Sequence, residues 1–166
     1  IATLDKKLQG KCRYLLIGQD KSARFEKLAR KLKISERVTI LPGRDDIPRF
    51  LAGADLLLHP AYMESAGYVL LEATIAGLPV LTTATCGYAF HIEQAESGQV
   101  CSEPFQQDEL NAKLAEMLVK IHAAPWSTNG LEYGKNEELY SLPQYAANLI
   151  EELAKEKENL KEQGLP

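Results

Sequence analysis

The sequence has few cysteines, no excess of positive charge and no long apolar run, and each absence narrows the class of protein. The three cysteines, Cys12, Cys86 and Cys101, form no C-x-x-C pair, which favours reduced cytoplasmic thiols over a disulfide framework. A net charge of -4 argues against a general nucleic-acid binder. No apolar run approaches the roughly 20 residues of a membrane-spanning helix. With 45% hydrophobic and 25% charged residues, the 166-residue chain has the composition of a globular domain with one core.

Two chemical motifs are absent as well. There is no D-x-D motif, so a metal-dependent site of that type is not expected. The absence of G-x-G-x-x-G argues against a dinucleotide-dependent dehydrogenase. His59 is predicted to end a strand, but no metal-ligand spacing surrounds it. We therefore predict no metal site.

Apolar runs alternate with amphipathic segments along residues 1–125, which is typical of parallel βαβ units. The predicted fold class is therefore α/β, a Rossmann-like parallel sheet with helices on both faces, followed by a helical C-terminal tail. The predicted strands are 12–17, 37–41, 55–58, 78–83 and 98–101. The predicted helices are 1–8, 21–33, a short one through 50–53 capped by Asp45 or Asp46, 67–76, 106–122, 126–140 and 143–163.

The stretch from His59 to Val80 is predicted to run from a strand end through a loop and a helix into the next strand. Pro60 ends the first strand, and Ser65 is a candidate N-cap for the helix. Open α/β sheets bind ligands in the crevice at the carboxyl ends of their strands. The loop and the start of this helix are therefore predicted to lie at a binding site.

Two carboxylates flank the predicted helix start. Glu64 lies in the loop, and Glu72 lies two turns into the helix among apolar residues, where a buried carboxylate would need a partner or ligand. Ser65 and Glu72, seven residues apart, are expected to share one helix face. The free N–H groups of a helix N-terminus suit a diphosphate. They belong here to Ala66, Gly67, Tyr68 and Val69. Solvated surface glutamates and a plain loop-to-helix junction are the alternative interpretation.

The segment from Glu64 to Ala73 resembles the Glu-x7-Glu signature of retaining GT-B glycosyltransferases, family 4 type, also called glycosyl transferases group 1. Two further segments are similar to the members that add glucose to the heptose of the lipopolysaccharide core. These two segments are 86–89 and 140–143. The segments 18–21, 42–45, 54–61 and 76–83 follow the order of the family. The resemblance covers nearly the whole chain but only the second, donor-binding half of such an enzyme.

The resemblance implies roles for the candidate residues. Glu64 would contact hydroxyls of the transferred hexose and act as the catalytic candidate, while Glu72 would accept hydrogen bonds from the ribose hydroxyls. Tyr68, where the family has a small or aliphatic residue, would narrow the pocket. Arg44 would lie against the uracil ring, and an ion pair with Asp45 or Asp46 is an equally open interpretation.

The resemblance also implies partners: a UDP-sugar donor, no cofactor or metal, and a lipopolysaccharide core acceptor held by an N-terminal domain. Ile1 is not an initiator methionine, so we expect a fragment that lacks its first strand and is inactive alone. Residues 126–166 would cross toward the N-terminal domain, or form a solvated helix that frays. A cytoplasmic enzyme peripheral to the inner membrane is expected.

Other interpretations stay open at this point. The chain could come from another GT-B enzyme, such as a glycogen-synthase-like transferase or a nucleotide-sugar epimerase. It could also be a noncatalytic Rossmann-like binding module, because a fold alone does not decide function. The identity of the hexose and of the acceptor is not fixed by the sequence.

Overall fold

The computed structural model describes residues 1–4, 6–18, 21–141, 144, 147–153 and 155. The strands in these residues are all parallel and form two sheets. β1 pairs with β2, and β4 lies between β3 and β5. Within the described residues, no backbone ladder joins the two sheets. The strands are β1 (Tyr14–Ile17), β2 (Val38–Leu41), β3 (Leu57–His59), β4 (Val80–Thr83) and β5 (Gly98–Cys101).

Helices connect successive strands, as parallel pairing requires. The α-helices are α1 (Lys6–Gln9), α2 (Ala23–Lys31), α3 (Ile47–Gly53), α4 (Tyr68–Ile75), α5 (Ala89–Gln94), α6 (Gln107–Lys120) and α7 (Trp126–Tyr133). Two short 3-10 helices span Ser35–Arg37 and Glu137–Tyr140.

The core lies on both faces of the three-stranded sheet. Val80 and Leu81 are consecutive residues of β4, so their side chains point to opposite faces, and both are fully buried. Val80 belongs to the cluster that α4 and α5 form on one face, and Leu81 to the cluster that α6 forms on the other. Helices therefore cover both faces, which confirms the predicted Rossmann-like class.

Two helix predictions are only partly correct. The first helix is limited to Lys6–Gln9, and Leu4 instead closes a turn by donating its N–H to the carbonyl of Ile1. Leu4 is nevertheless buried in the α6 cluster, so this segment does contribute to the core. The helix predicted over 126–140 ends at Tyr133, and Asn136 adopts an extended conformation. The Asn136 side chain then accepts a hydrogen bond from the Glu138 N–H and starts the second 3-10 helix.

The C-terminal region packs against the sheet domain through α7. Gly130 lies so close to the carbonyl of Thr74 in α4 that no side chain fits between them. Of the helix predicted over 143–163, the described residues 144, 147–153 and 155 are helical, and the rest lies outside the described residues. The division into 1–125 and 126–166 stays a prediction. No helix among the described residues is long and apolar enough to cross a membrane.

Candidate functional site

The N-cap residue of helix α4 is a glycine and not the predicted serine. Gly67 occupies the N-cap position with φ at +81°, a left-handed conformation that favours glycine. Ser65 is exposed, and no side chain caps the helix. The prediction that Ser65 caps the helix is wrong. The prediction that Ser65 and Glu72 share one helix face is also wrong, because helical geometry starts only at Tyr68.

The first turn of α4 has free backbone donors. The N–H of Leu70 donates to the carbonyl of Gly67 at 2.9 Å. The N–H groups of Tyr68 and Val69 have no acceptor within the helix, and no described side chain caps them. The positive end of the helix dipole lies at the same place. This end of α4 can therefore accept an anionic group.

Glu64 lies directly before this turn. Its backbone forms an isolated parallel bridge with Cys86, and the side chain is partly exposed. Its Cγ lies 3.5 Å from the point where a Cβ on Gly67 would stand. Its carboxylate has no hydrogen-bond or ion-pair partner among the described residues. The carboxylate is therefore available to a ligand.

Glu72 is exposed. Burial therefore does not require its carboxylate to have a partner or a ligand. Leu70, Ala73 and Thr74 form the buried face of α4, and Glu72 points away from it. By helix geometry, Glu72 lies about 6 Å along the axis from Tyr68. Like Glu64, it has no ion-pair or hydrogen-bond partner among the described side chains. One carboxylate without a described partner thus lies before the helix end, and another lies in the second turn of the helix.

Tyr68 extends from the first turn of α4 and meets a second tyrosine. Its ring packs edge-on against the ring of Tyr88 with centroids 5.2 Å apart. Desolvation, with a smaller contribution from Tyr68, raises the pKa of Tyr88. The Tyr88 N–H also donates to the carbonyl of Ala66 at 2.8 Å. The tyrosine pair forms one wall at the end of α4.

Arg44 lies at the carboxyl end of β2, in the other sheet. Its guanidinium donates to both carboxylate oxygens of Asp46, at 2.6 and 2.9 Å, and stands 5.2 Å from the centroid of the Phe50 ring. The hydrogen bond from Arg44 holds the pKa of Asp46 below its usual value. Asp46 is the N-cap residue of α3 but makes no side-chain capping bond, because its carboxylate is engaged by Arg44. The structure thus shows the ion pair that the sequence left as one of two interpretations.

The structure places Glu64, Ala66, Gly67, Tyr68 and Val69 at the N-terminal end of α4, and Glu72 on the exposed side of its second turn. No hydrogen bond or ion pair among the described residues links Arg44 to this group. Arg44 shares an open pocket of about 360 Å³ with Asp46, Arg49 and Phe50. Among the residues that the structure describes, no group of three or more His, Cys, Asp or Glu side chains could hold a metal ion.

A comparison with known protein families shows to which family the chain belongs. Residues 1–130 match the family described as Glycosyl transferases group 1. The chain belongs to this family. The Glu-x7-Glu segment and the helix end it surrounds are therefore parts of a group 1 glycosyltransferase domain.

This group 1 domain is similar to several characterised proteins. It is 47% identical over 151 residues to the lipopolysaccharide glucosyltransferase WaaG of Escherichia coli (strain K12), covering 90% of this chain and 40% of that protein. A crystal structure of WaaG superposes with a TM-score of 0.83 at the same identity and coverage. The chain thus spans less than half the length of this relative.

One further relative and one further solved structure are also similar to this chain. The D-inositol 3-phosphate glycosyltransferase of Mycobacterium sp. (strain KMS) is 42% identical over 73 residues, 43% of this chain and 17% of that protein. A structure of Anabaena Alr3699/HepE in complex with UDP superposes with a TM-score of 0.73 at 22% identity, covering 93% of this chain and 43% of that one. The likeness to HepE shows the shared fold.

Residues at the end of β4 contact the loop that carries Glu64, and these contacts were not predicted from the sequence. Thr83 and Thr85 donate to the carbonyl of Ala61, and the thiol of Cys86 lies 3.6 Å from Nδ1 of His59. The run Thr82-Thr83-Ala84-Thr85 at a strand end was the available signal, because threonine hydroxyls often bond to nearby backbone. Its partner lies more than 20 residues away in the sequence, which no local pattern indicates.

Proposed function

We propose that this chain is the donor-binding part of a retaining hexosyltransferase. The donor is a UDP-sugar, with glucose as the hexose, and the acceptor is a lipopolysaccharide core saccharide held by a second domain. The enzyme works in the cytoplasm, at the inner membrane, and uses no metal or other cofactor. The 47% identity to a lipopolysaccharide glucosyltransferase over 90% of this chain supports the proposal.

One observation carries this proposal. Two carboxylates without partners among the described residues lie near the uncapped N-terminus of α4, Glu64 before it and Glu72 in the second turn of the helix. The helix end suits the diphosphate, and the two carboxylates suit the hydroxyls of the hexose and the ribose. The site thus offers one group for each of these polar parts of a nucleotide-sugar.

The chain contributes binding and electrostatic stabilisation to the reaction. The bond between C1 of the hexose and the diphosphate oxygen breaks, and its electron pair leaves with UDP. The acceptor oxygen bonds to C1, and its hydroxyl proton passes to the departing phosphate. The N–H groups of Tyr68 and Val69 meet the charge that develops on the leaving group. Glu64 holds the hexose in the reacting position.

Arg44 supplies the nucleobase end of the proposed site. Two hydrogen bonds to Asp46 fix the position of its guanidinium, which lies beside an open pocket that Phe50 also lines. A planar cation suits stacking on a planar base. The ion pair with Asp46 thus orients Arg44 in this proposal and does not exclude a contact with uracil.

The test is a calorimetric titration of the full-length enzyme with UDP, UDP-glucose and ADP-glucose. We expect selective binding of the uridine ligands. Loss of a charged hydrogen-bonding group costs about 1.5–3 kcal/mol, so Glu72→Ala should weaken UDP binding by roughly 10- to 100-fold. Glu93→Ala is the matched control, because Glu93 is also exposed on a helix and lies in α5. UDP binding that is equal in Glu72→Ala and Glu93→Ala would contradict the proposed ribose contact.

Transfer assays distinguish the alternatives. Full-length enzyme tested with several nucleotide sugars and acceptors should transfer hexose to a lipopolysaccharide core saccharide. Epimerisation of the nucleotide-sugar would support the epimerase alternative instead. Donor binding that survives loss of both Glu64 and Glu72 would support a noncatalytic module. The 166-residue chain alone should show no transfer, because a second domain holds the acceptor in this proposal.

A further inference from the structure

The loop of residues 60–67, which carries Glu64, is held by its backbone. The Glu64 carboxylate has no partner among the described residues. Its position therefore depends on where the backbone on either side is fixed. The neighbouring side chains of Tyr62 and Met63 are 78% and 92% exposed. The ring of Tyr62 packs edge-on against that of Phe105, so it adds one side-chain contact at the surface.

The first fixed point lies three residues before Glu64. The carbonyl oxygen of Ala61 lies 2.7 Å from Oγ1 of Thr83 and 2.8 Å from Oγ1 of Thr85. The two hydroxyls are 3.0 Å apart. A carbonyl oxygen has two lone pairs, so both hydroxyls can donate to it, or one can act through the other. Residues at the end of β4 thereby hold the start of the loop that follows the neighbouring strand β3.

The second fixed point lies two residues after Glu64. The N–H of Tyr88 donates to the carbonyl of Ala66 at 2.8 Å. Between the two points, Glu64 itself bridges to Cys86. One short segment, residues 83–88, therefore holds the backbone before, at and after Glu64. Helix α4, which carries Glu72, is instead anchored by its own buried face.

We propose that Thr83 and Thr85 are positioning residues that set Glu64 against the transferred hexose. This inference rests on the proposed function. Loss of their hydroxyls loosens the loop at Ala61 and displaces Glu64, while Glu72 and the first turn of α4 stay in place. The hexose end of the donor is then held poorly and the UDP end is held as before. A displacement of about 1 Å in a reacting group can cost on the order of 100-fold in rate.

Thr85 is the better position for a test, because it is partly exposed whereas Thr83 is buried. In full-length enzyme, Thr85→Val removes the hydroxyl and keeps the shape, and Thr85→Ser keeps the hydroxyl. Thr85→Ala serves as a second hydroxyl-free variant if valine does not fold. The measurements are kcat, KM for UDP-glucose, the Kd for UDP, and amide hydrogen exchange of a peptide spanning 60–68.

Thr85→Val should lower kcat by about 10- to 100-fold and speed exchange in 60–68, while the Kd for UDP changes less than about twofold. Thr85→Ser should restore both kcat and exchange. Unchanged exchange and kcat in Thr85→Val would overturn the proposal. Equal losses in the valine and serine variants would also overturn it, since the hydroxyl would then not be the cause. If exchange responds as expected but wild-type enzyme transfers no hexose, the proposed function fails and the anchoring of the loop stands.

Discussion

The backbone of Gly87 lies against the carbonyl oxygen of Ser65, so that an added Cβ at position 87 would overlap with that oxygen. Gly87 precedes Tyr88, whose N–H bonds to Ala66, and follows Cys86, which bridges to Glu64. The contact joins two loops that follow neighbouring strands. Any side chain at position 87 must push the Glu64 loop away.

Gly87→Ala should destabilise the fold and reduce activity together. Because the overlapping atom is backbone, relief needs a shift of the loop, and overpacking of this kind costs about 1–3 kcal/mol. Urea denaturation checks the free energy of unfolding, and transfer assays check the activity. Gly53→Ala is the control, because a Cβ there meets open space. Equal stability of the two variants would show that the loops can separate freely.

Arg44 gives a second prediction. If its guanidinium lies on the nucleobase, Arg44→Ala should weaken UDP binding, and Arg44→Lys should not restore it, because an ammonium group is not planar. Asp46→Ala should weaken binding less than Arg44→Ala, since it only removes the orienting partner. Calorimetric titration with UDP measures all three variants. An unchanged affinity of Arg44→Ala for UDP would contradict the contact with the nucleobase, and only the ion pair with Asp46 would remain as the role of Arg44.

His91 predicts how stability depends on pH. Burial lowers the pKa of His91 below its usual value, and Nδ1 shares a hydrogen bond of 2.8 Å with the hydroxyl of Tyr133. The unfolded chain therefore binds a proton at a higher pH than the folded chain does. The contribution of His91 to the free energy of unfolding should be constant above the unfolded pKa, near 6.5, and fall as pH drops from there toward the lowered pKa of the folded chain.

The fall attributable to His91 is at most about 1.4 kcal/mol per pH unit. Urea denaturation at pH 7.5, 6.5 and 5.5 checks it. His91→Gln removes the titrating group, so its loss of stability between pH 7.5 and 5.5 should be smaller than that of the wild type. His122→Gln is the control, because His122 is exposed. Parallel pH curves for wild type and His91→Gln would contradict this assignment.

Much of the fold could be predicted because its signals are local. The apolar run before Pro60 and the Gly77-x-Pro79 sequence placed β3, α4 and β4 within about two residues of their observed positions. Apolar residues that recur with a period of 2 in strands and 3.6 in helices indicate which side chains face the core, so the composition of the core can be predicted as well. The positions of the α4 N-terminus and of Glu64 in the loop before it were also predicted from local signals, because both lie between Pro60 and Gly77.

The rest depends on contacts between distant residues. Ser65 is the stronger capping residue by propensity, yet Gly67 begins the helix, because the loop is held by Gly87 and Tyr88 and turns at the position where a positive φ is tolerated. The sequence also left open whether Glu72 is buried or exposed, and the structure shows it exposed. Its apolar neighbours in the sequence lie on the other side of the helix. Sequence neighbours are not spatial neighbours on a helix.

The division of the strands into two sheets affects how the domain resists force. β3, β4 and β5 are joined by ladder hydrogen bonds, and β1 is joined by a ladder to β2. A pull on β1 therefore loads its ladder with β2, and no ladder hydrogen bond among the described residues passes that load to the three-stranded sheet. The bonds by which residues 83–88 hold the Glu64 loop lie at the end of β4 and beside β3, so separation of the two sheets would leave them intact.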